Sequence, residues 1–136
     1  MRTLFGTSIV TVVCALLIWA YVAPQLISTG VIETGPLMEI MVLVPTLVGI
    51  PSSAIGAVTG LFTVGSGQNI AAKTAMTGGH IVTVAIAVAV VVWALGFGST
   101  GWELIVLPIS LALGQIVVLA GIITVFVQRR QDRLLE

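Results

Sequence analysis

The chain has 136 residues, of which 58% are apolar and only 7% charged, with a formal net charge of zero at pH 7. A water-soluble domain of this size carries far more surface charge, so the composition indicates a protein whose solvent is the lipid bilayer. One cysteine and one histidine are too few for a metal cluster. The sequence also lacks the basic stripe that is typical of nucleic-acid binding.

Four long runs carry no charged residue. They extend from Thr3 to Ile32, from Ile40 to Ala72, from Thr74 to Trp102 and from Leu104 to Gln128. Each exceeds the roughly 20 residues that a helix needs to cross the hydrocarbon core, and none shows the sustained two-residue alternation of barrel strands. We therefore predict an all-α, polytopic membrane protein. Its single domain, residues 1 to 136, would hold helices at about residues 4 to 27, 36 to 64, 79 to 97 and 103 to 128.

The basic residues all fall on one side of the membrane when these helices are threaded through it. They are Arg2 before helix 1, Lys73 between helices 2 and 3, and Arg129, Arg130 and Arg133 in a tail of residues 129 to 136. The positive-inside rule then predicts a multi-pass protein of the cell membrane with both termini in the cytoplasm. The other face would hold Glu33, Glu39, Glu103, Trp19, Tyr21, Trp93 and Trp102.

The first segment has a competing interpretation as a secretory signal peptide, because Arg2 precedes an apolar stretch that ends in "YVAPQ". The apolar run is longer than a signal core, and Pro24 would directly follow the cleavage point. We therefore assign the segment to the fold.

An internal repeat is a second prediction. "TSIVTV" is echoed by "GHIVTV", "STG" occurs twice, and "MEIMVLVP" is echoed by the shorter "WELIVLP". These pairs begin at Thr7 and Gly79, at Ser28 and Ser99, and at Met38 and Trp102. Two copies of one helical hairpin, about residues 1 to 67 and 77 to 128, would be related by a twofold axis along the membrane normal.

The only histidine, His80, stands opposite Ser8 in this repeat. We predict an interfacial histidine that bonds to a carbonyl, a lipid headgroup or water. Haem ligation within one subunit is disfavoured because Met76 lies on the same helical face and cannot reach the other side of an iron. Cys14 lies near the middle of helix 1, where a soft packing residue is expected. No metal or cofactor is predicted.

Small and polar residues form a stripe with seven-residue recurrence on helices 2 and 4. On helix 2 the stripe comprises Glu39, Thr46, Ser53, Gly60 and Gly67, with Gly49, Gly56 and Thr63 between them. On helix 4 it comprises Glu103, Ser110 and Thr124, with Gly114, Gly121 and Gln128. Small residues let membrane helices approach closely, so we expect helices 2 and 4 to form the close-packed centre with a left-handed crossing.

The stripe is also a possible path. Pro45 and Pro51 each remove a backbone hydrogen bond and free a carbonyl, which together with nearby hydroxyls can bind an ion or a polar solute. The candidate binding residues along this path are Glu39, Thr46, Ser53, Glu103, Ser110 and Gln115.

Two functions remain open. The first is a small channel or transporter for an ion or polar solute, with helices 2 and 4 lining the path. The alternative is a non-catalytic subunit or assembly factor of a larger membrane complex. No phosphate loop, metal-binding helix or nucleophile elbow occurs, so we expect no enzymatic activity. Expected partners are the lipid bilayer and either further copies of the chain or other membrane subunits, and not nucleic acid.

Overall fold

The computed structural model describes residues 2–65, 67, 69–99 and 101–135, and it consists of four long helices. They are α1 (Arg2–Ser28), α2 (Pro36–Thr63), α3 (Ile70–Phe97) and α4 (Glu103–Leu135). At 1.5 Å per residue each exceeds the roughly 30 Å hydrocarbon core, and all four are apolar enough to cross it. The prediction of an all-α, four-helix membrane protein is confirmed.

The helices surround one centre in chain order. α1 packs against α2 and α4, α3 packs against the same two helices, and the α3–α4 interface is the most extensive. We call the end of the bundle that holds residues 2 and 135 the termini face. The end that holds the α1–α2 and α3–α4 connections is the hairpin face.

Helices α2 and α4 lie diagonally across the bundle and make few contacts with each other. The prediction that they form the close-packed centre is therefore wrong. A seven-residue stripe identifies the face that packs closely but does not identify the helix that it meets. Here the α2 glycines mostly meet α3, while Gly114 and Gly121 of α4 meet α3 from the other side.

The closest helix crossing is between α3 and α4, at Gly79 and Gly114. A Cβ atom built on Gly79 would lie 2.6 Å from the carbonyl oxygen of Gly114 and 2.9 Å from the backbone nitrogen of Val118. One further repeat along, a Cβ on Gly121 would lie 2.9 Å from the carbonyl oxygen of Ala72. Backbone atoms of the two helices are thus in direct contact, which only glycine permits.

Helix α3 begins at Ile70, not at residue 79 as predicted. The extra turns contain the strong helix formers Ala71, Ala72 and Met76, and the last two are fully or almost fully buried. Gly78 and Gly79 lie inside the helix, where Gly79 contacts α4. Helix α4 likewise continues beyond residue 128, to Leu135.

Helix α2 contains a π-helical turn at Glu39–Leu43, between Pro36–Met38 and Val44–Thr63. The N–H of Val44 donates to the carbonyl of Glu39, five residues earlier. The turn directly precedes Pro45, which has no N–H to continue the ladder. A π turn accommodates one additional residue within a helix.

Two apolar clusters fill the interior. Near the termini face, side chains of α1, α3 and α4 form one of them, with members Leu4, Val12, Ala72, Met76, Val118, Ile122 and Val125. Toward the hairpin face, Cys14, Ile18 and Leu111 form the other, which we call the apolar plug. The α1–α2 connection is tied to α1 because the hydroxyl of Tyr21 donates to the carbonyl of Glu33 at 2.7 Å.

Candidate functional site

The side chain of Gln115 joins all four helices near the middle of the bundle. Its Oε1 accepts a hydrogen bond from Thr11 of α1 at 2.6 Å. Its Nε2 donates to Ser53 of α2 and to Thr83 of α3, both at 3.3 Å. Gln115 is only 2% exposed. One amide therefore uses both of its ends to connect its own helix to the other three.

The imidazole of His80 lies one turn closer to the termini face. Its Nε2 is 3.0 Å from the hydroxyl oxygen of Ser8, and that hydroxyl donates its hydrogen to the carbonyl of Leu4 at 2.7 Å. With the Ser8 hydroxyl donating to Leu4, we assign to Nε2 the hydrogen that is shared with Ser8. The other ring nitrogen, Nδ1, has no hydrogen-bond partner among the residues that the structure describes.

The prediction of an interfacial His80 is wrong, because the side chain has no exposed surface. The reason is the early start of α3, which places His80 about three turns inside the helix. The histidine therefore bonds to another helix rather than to lipid headgroups. The interior of the bundle holds an ionisable group that the sequence interpretation placed at the surface.

Two glycines of α2 make room for polar side chains of α3. A Cβ atom on Gly56 would lie 2.6 Å from two atoms of the His80 ring, and one on Gly60 would collide with Thr77. The hydroxyl of Thr77 is buried and, like Nδ1 of His80, has no hydrogen-bond partner in the described part of the chain. An unsatisfied buried polar atom costs about 1–3 kcal/mol, so two of them on one helix face are a feature to explain.

Together these side chains form a continuous polar region, which we call the polar column. From the termini face to the middle of the bundle it comprises Lys73, Thr77, His80, Ser8, Thr11, Gln115, Thr83 and Ser53. All eight are buried, and Lys73 at its end is 5% exposed. Beyond Gln115 the apolar plug takes its place. The polar column thus lies in the termini half, beside the apolar cluster of α1, α3 and α4, and it does not continue through the apolar plug.

The polar column is closed in this conformation. Ser8, Ser53, His80 and Thr83 have no surface accessible to water, and Gln115 has almost none. Passage of a solute therefore requires the helices to move apart, which breaks the hydrogen bonds of Gln115.

The structure brings two of the six predicted path residues together, namely Ser53 and Gln115. Thr46 and Ser110 are buried, but their hydroxyls donate to carbonyls of their own helices, Val42 at 2.6 Å and Leu107 at 2.7 Å.

The two predicted acidic residues lie near the hairpin face. Glu39 is exposed within the π turn, and Glu103 is partly buried and accepts a hydrogen bond from Ser99 at 3.3 Å. Neither belongs to the polar column.

Sequence reasoning missed the contributions of α1 and α3. On α1 the buried positions Leu4, Ser8, Thr11, Ala15 and Ile18 recur at spacings of three and four, as a helix face requires. On α3 the same spacing links Lys73, Thr77, His80, Thr83 and Ala87. The small-and-polar criterion that identified stripes on α2 and α4 identifies these two faces as well.

The hairpin half of the molecule contains apolar grooves on both sides of α3. A groove of about 600 Å³ between α3 and α4 includes Ala85, Ala89, Trp93 and Trp102 in its lining. A groove of about 430 Å³ between α2 and α3 includes Pro51. Acyl chains of the bilayer are the natural occupants of such lipid-facing grooves.

The donor groups of the site do not form a metal cage. Among the described residues no three His, Cys, Asp or Glu side chains lie close enough to share a metal ion. Cys14 is a buried free thiol within the apolar plug. Comparison of the chain with protein-family models, curated proteins and solved structures gave no match. The geometry of the polar column is therefore the basis for a functional proposal.

Proposed function

We propose that the protein is a small membrane transport protein that moves an ion or a small polar solute across the bilayer by way of the polar column. The observation that carries the proposal is the bonding of Gln115 to three other helices in the middle of the bundle. All four helices then line the path, rather than α2 and α4 alone. The apolar plug is the closed end that must open.

Helix association alone does not call for such a column. Interhelical hydrogen bonds in membranes average about 0.6 kcal/mol, so three bonds of average strength would contribute roughly 2 kcal/mol. Close packing is already supplied by Gly79 and Gly114. The column also extends along the helix axis, over roughly 15 Å from Lys73 to Thr83, instead of forming one ring of contacts. Both features favour a path over a structural seam.

The predicted internal repeat supports a transport role, because transporters often carry their sites where two repeats meet near the bilayer midplane. The repeat matches Ser8 with His80, and these two side chains bond to each other. It also matches Thr11 with Thr83, and both bond to Gln115. Positions that are equivalent in the repeat thus meet at the centre of the bundle.

The π turn supports the repeat in a different way. "MEIMVLVP" in α2 is one residue longer than its counterpart "WELIVLP" in α4. The π turn lies within this stretch, at Glu39–Leu43. A one-residue insertion into an α-helix is commonly absorbed as a π turn. Superposition of residues 2–63 on residues 70–128 by a rotation about the membrane normal tests the repeat directly.

We propose that the termini face is cytoplasmic and that the membrane is the cell membrane, on the basis of the positive-inside rule. With Cys14 replaced by alanine, a cysteine at Glu33 should react with an impermeant thiol reagent in intact cells, and one at Gly65 should not. Both positions are exposed, whereas Lys73 is buried and cannot serve as the marker. The reverse labelling pattern would overturn the orientation.

Transport itself is tested with purified protein in liposomes, screened with protons, monovalent cations, anions and small neutral solutes. We expect flux of one class above that of empty liposomes, and its loss in Gln115→Leu, which removes every polar contact of that side chain. Ile116→Leu alters the neighbouring, lipid-exposed position and should leave the flux unchanged. Flux that persists in Gln115→Leu would contradict a path through the column.

A second candidate is a non-catalytic subunit or assembly factor of a larger membrane complex, or of an oligomer of this chain. The observation that favours it is the closed column, whose central side chains leave no space for water. Absence of flux for every solute class, with the fold intact, would favour this candidate. In neither case do we expect the chain to act as an enzyme.

A further inference from the structure

His80 is the one ionisable side chain in the part of the polar column next to Gln115. Its Nε2 forms a hydrogen bond with Ser8, while Nδ1 is buried and has no hydrogen-bond partner among the described residues. The hydroxyl of Thr77, one turn earlier on the same helix face, is also buried without a partner. The two atoms therefore do not bond to each other in this conformation. A hydroxyl can both donate and accept, which suits a nitrogen that gains and loses a hydrogen.

The size of the site restricts the ions that it admits. His80 has no accessible surface, and its ring lies directly against Gly56. A hydrated metal cation needs several oxygen ligands and the volume to hold them. A proton needs only a lone pair, and the lone pair on Nδ1 is free. The proton is therefore the ion that this site can accept before the helices separate.

The charged and titratable surroundings of His80 are sparse. Helix α2 presents Gly56 and Gly60, and α1 presents Ser8, with the thiol of Cys14 nearly two turns further along. The described buried residues of α4 include no titratable side chain. On α3 the nearest charged residue is Lys73, two turns away at about 10 Å. No carboxylate faces the ring, so a proton there has no counter-charge to hold it permanently.

We propose that the ion handled by the polar column is the proton, and that it binds at Nδ1 of His80 with the Thr77 hydroxyl as its partner. This rests on the proposed transport function and names its substrate. A proton from water at the termini face forms an N–H bond at Nδ1, and the imidazolium returns it when that bond breaks. Because the apolar plug separates the column from the hairpin face, release on that side requires a rearrangement of the bundle.

The single histidine makes the binding step directly observable. Labelling with ¹⁵N-histidine marks His80 alone, so NMR of the protein in lipid bilayers reads one ring. At about pH 8 we expect a protonated Nε2 and a bare Nδ1. Acidification should add the second proton at Nδ1 while the fold is still intact. Thr77→Val should shift this transition. The matched control Thr74→Val should not, because Thr74 is exposed and bonds only to its own helix.

The transport step is read separately, as acidification of liposomes under a pH gradient. His80→Gln keeps a hydrogen-bonding side chain but no titration, and we expect at least a tenfold loss of proton flux. If this variant does not fold, the NMR titration of the unmodified protein decides. A ring that stays neutral until the fold is lost, or that carries its hydrogen on Nδ1 at neutral pH, would overturn the proposal.

The experiments can reject the proton site and the transport function separately. Flux of another solute that does not depend on pH or on His80 leaves transport standing and removes the proton site. Complete absence of flux, with the expected NMR titration, removes transport and leaves a proton-binding histidine.

Discussion

The two halves of this bundle differ in how α3 is packed. In the termini half, α3 is held between α2 and α4 by glycines, and its inward side chains include Thr77 and His80. In the hairpin half, the same helix is largely exposed, with grooves on both sides and a pair of stacked rings, Trp93 and Phe97, whose centroids are 4.5 Å apart. Around α3, glycine contacts and buried polar side chains thus occur together in the termini half, whereas in the hairpin half the helix is bordered by apolar grooves.

This difference between the halves indicates where a membrane protein can bury polar side chains. Hydroxyl, amide and imidazole groups need partners within hydrogen-bond distance, and only closely spaced helices provide them. The glycines of the termini half supply that spacing. In the hairpin half, residues such as Ala85 and Ala89 line open grooves beside α3 instead of contacting a neighbouring helix backbone.

The largest expected effect comes from the α3–α4 contact in the termini half. Gly79→Ala places a methyl group 2.6 Å from the carbonyl oxygen of Gly114, which cannot move without shifting α4. We expect a loss of about 3 kcal/mol in the free energy of unfolding, measured by SDS titration in mixed micelles.

The adjacent glycine is the control. No described atom lies within 4 Å of a Cβ on Gly78, so Gly78→Ala should be neutral or should stabilise by up to about 1 kcal/mol through helix propensity. Equal effects for the two substitutions would show that α3 and α4 do not meet at Gly79 and Gly114 as described.

A smaller effect is expected between α2 and α3. Gly56→Ala brings a methyl group within 2.6 Å of the His80 ring, which is a side chain and can partly yield. We expect a cost of about 1–2 kcal/mol by the same SDS titration. In a His80→Ala background the cost should largely disappear, because the ring that the methyl group meets is gone. If the costs of Gly56→Ala and His80→Ala are instead additive, the His80 ring does not lie against Gly56.

The smallest effect is expected in the hairpin half. Ala89→Leu extends a side chain that lines the groove between α3 and α4, so it should change the unfolding free energy by less than about 0.5 kcal/mol. Ala72→Leu makes the same change at a residue with no exposed surface and should be strongly destabilising. If Ala89→Leu lowers the unfolding free energy as much as Ala72→Leu does, protein atoms fill the groove and it is not open as described.

The four helices follow from the sequence because a charge-free run longer than 20 residues has only one stable solution in lipid. The start of α3 does not follow, because Gly78 and Gly79 are identical in sequence while one faces open space and the other touches a neighbouring backbone. Such a difference depends on a second helix, which local sequence does not specify.

The site was predictable to a similar degree. Ser53 was identified from the stripe on α2 and Gln115 as a further polar residue along the path, and they bond to each other. The polar face of α3 was overlooked because that helix was predicted to begin at residue 79, which left Lys73 and Thr77 outside it. The pairing of stripes across helices is a property of the assembled bundle.

The most direct test of the polar column as a path compares two adjacent serines. Ser53 contacts Gln115, whereas the hydroxyl of Ser52 donates to the carbonyl of Val48 on its own helix at 2.8 Å. Each alanine substitution removes one oxygen and should cost well under 2 kcal/mol of stability. In liposomes, Ser53→Ala should reduce flux about fivefold, because the moving solute then loses one hydrogen bond of about 1 kcal/mol to the Ser53 hydroxyl, and Ser52→Ala should not. Equal flux in the two variants, or no flux of any solute through the unmodified protein, would contradict the path.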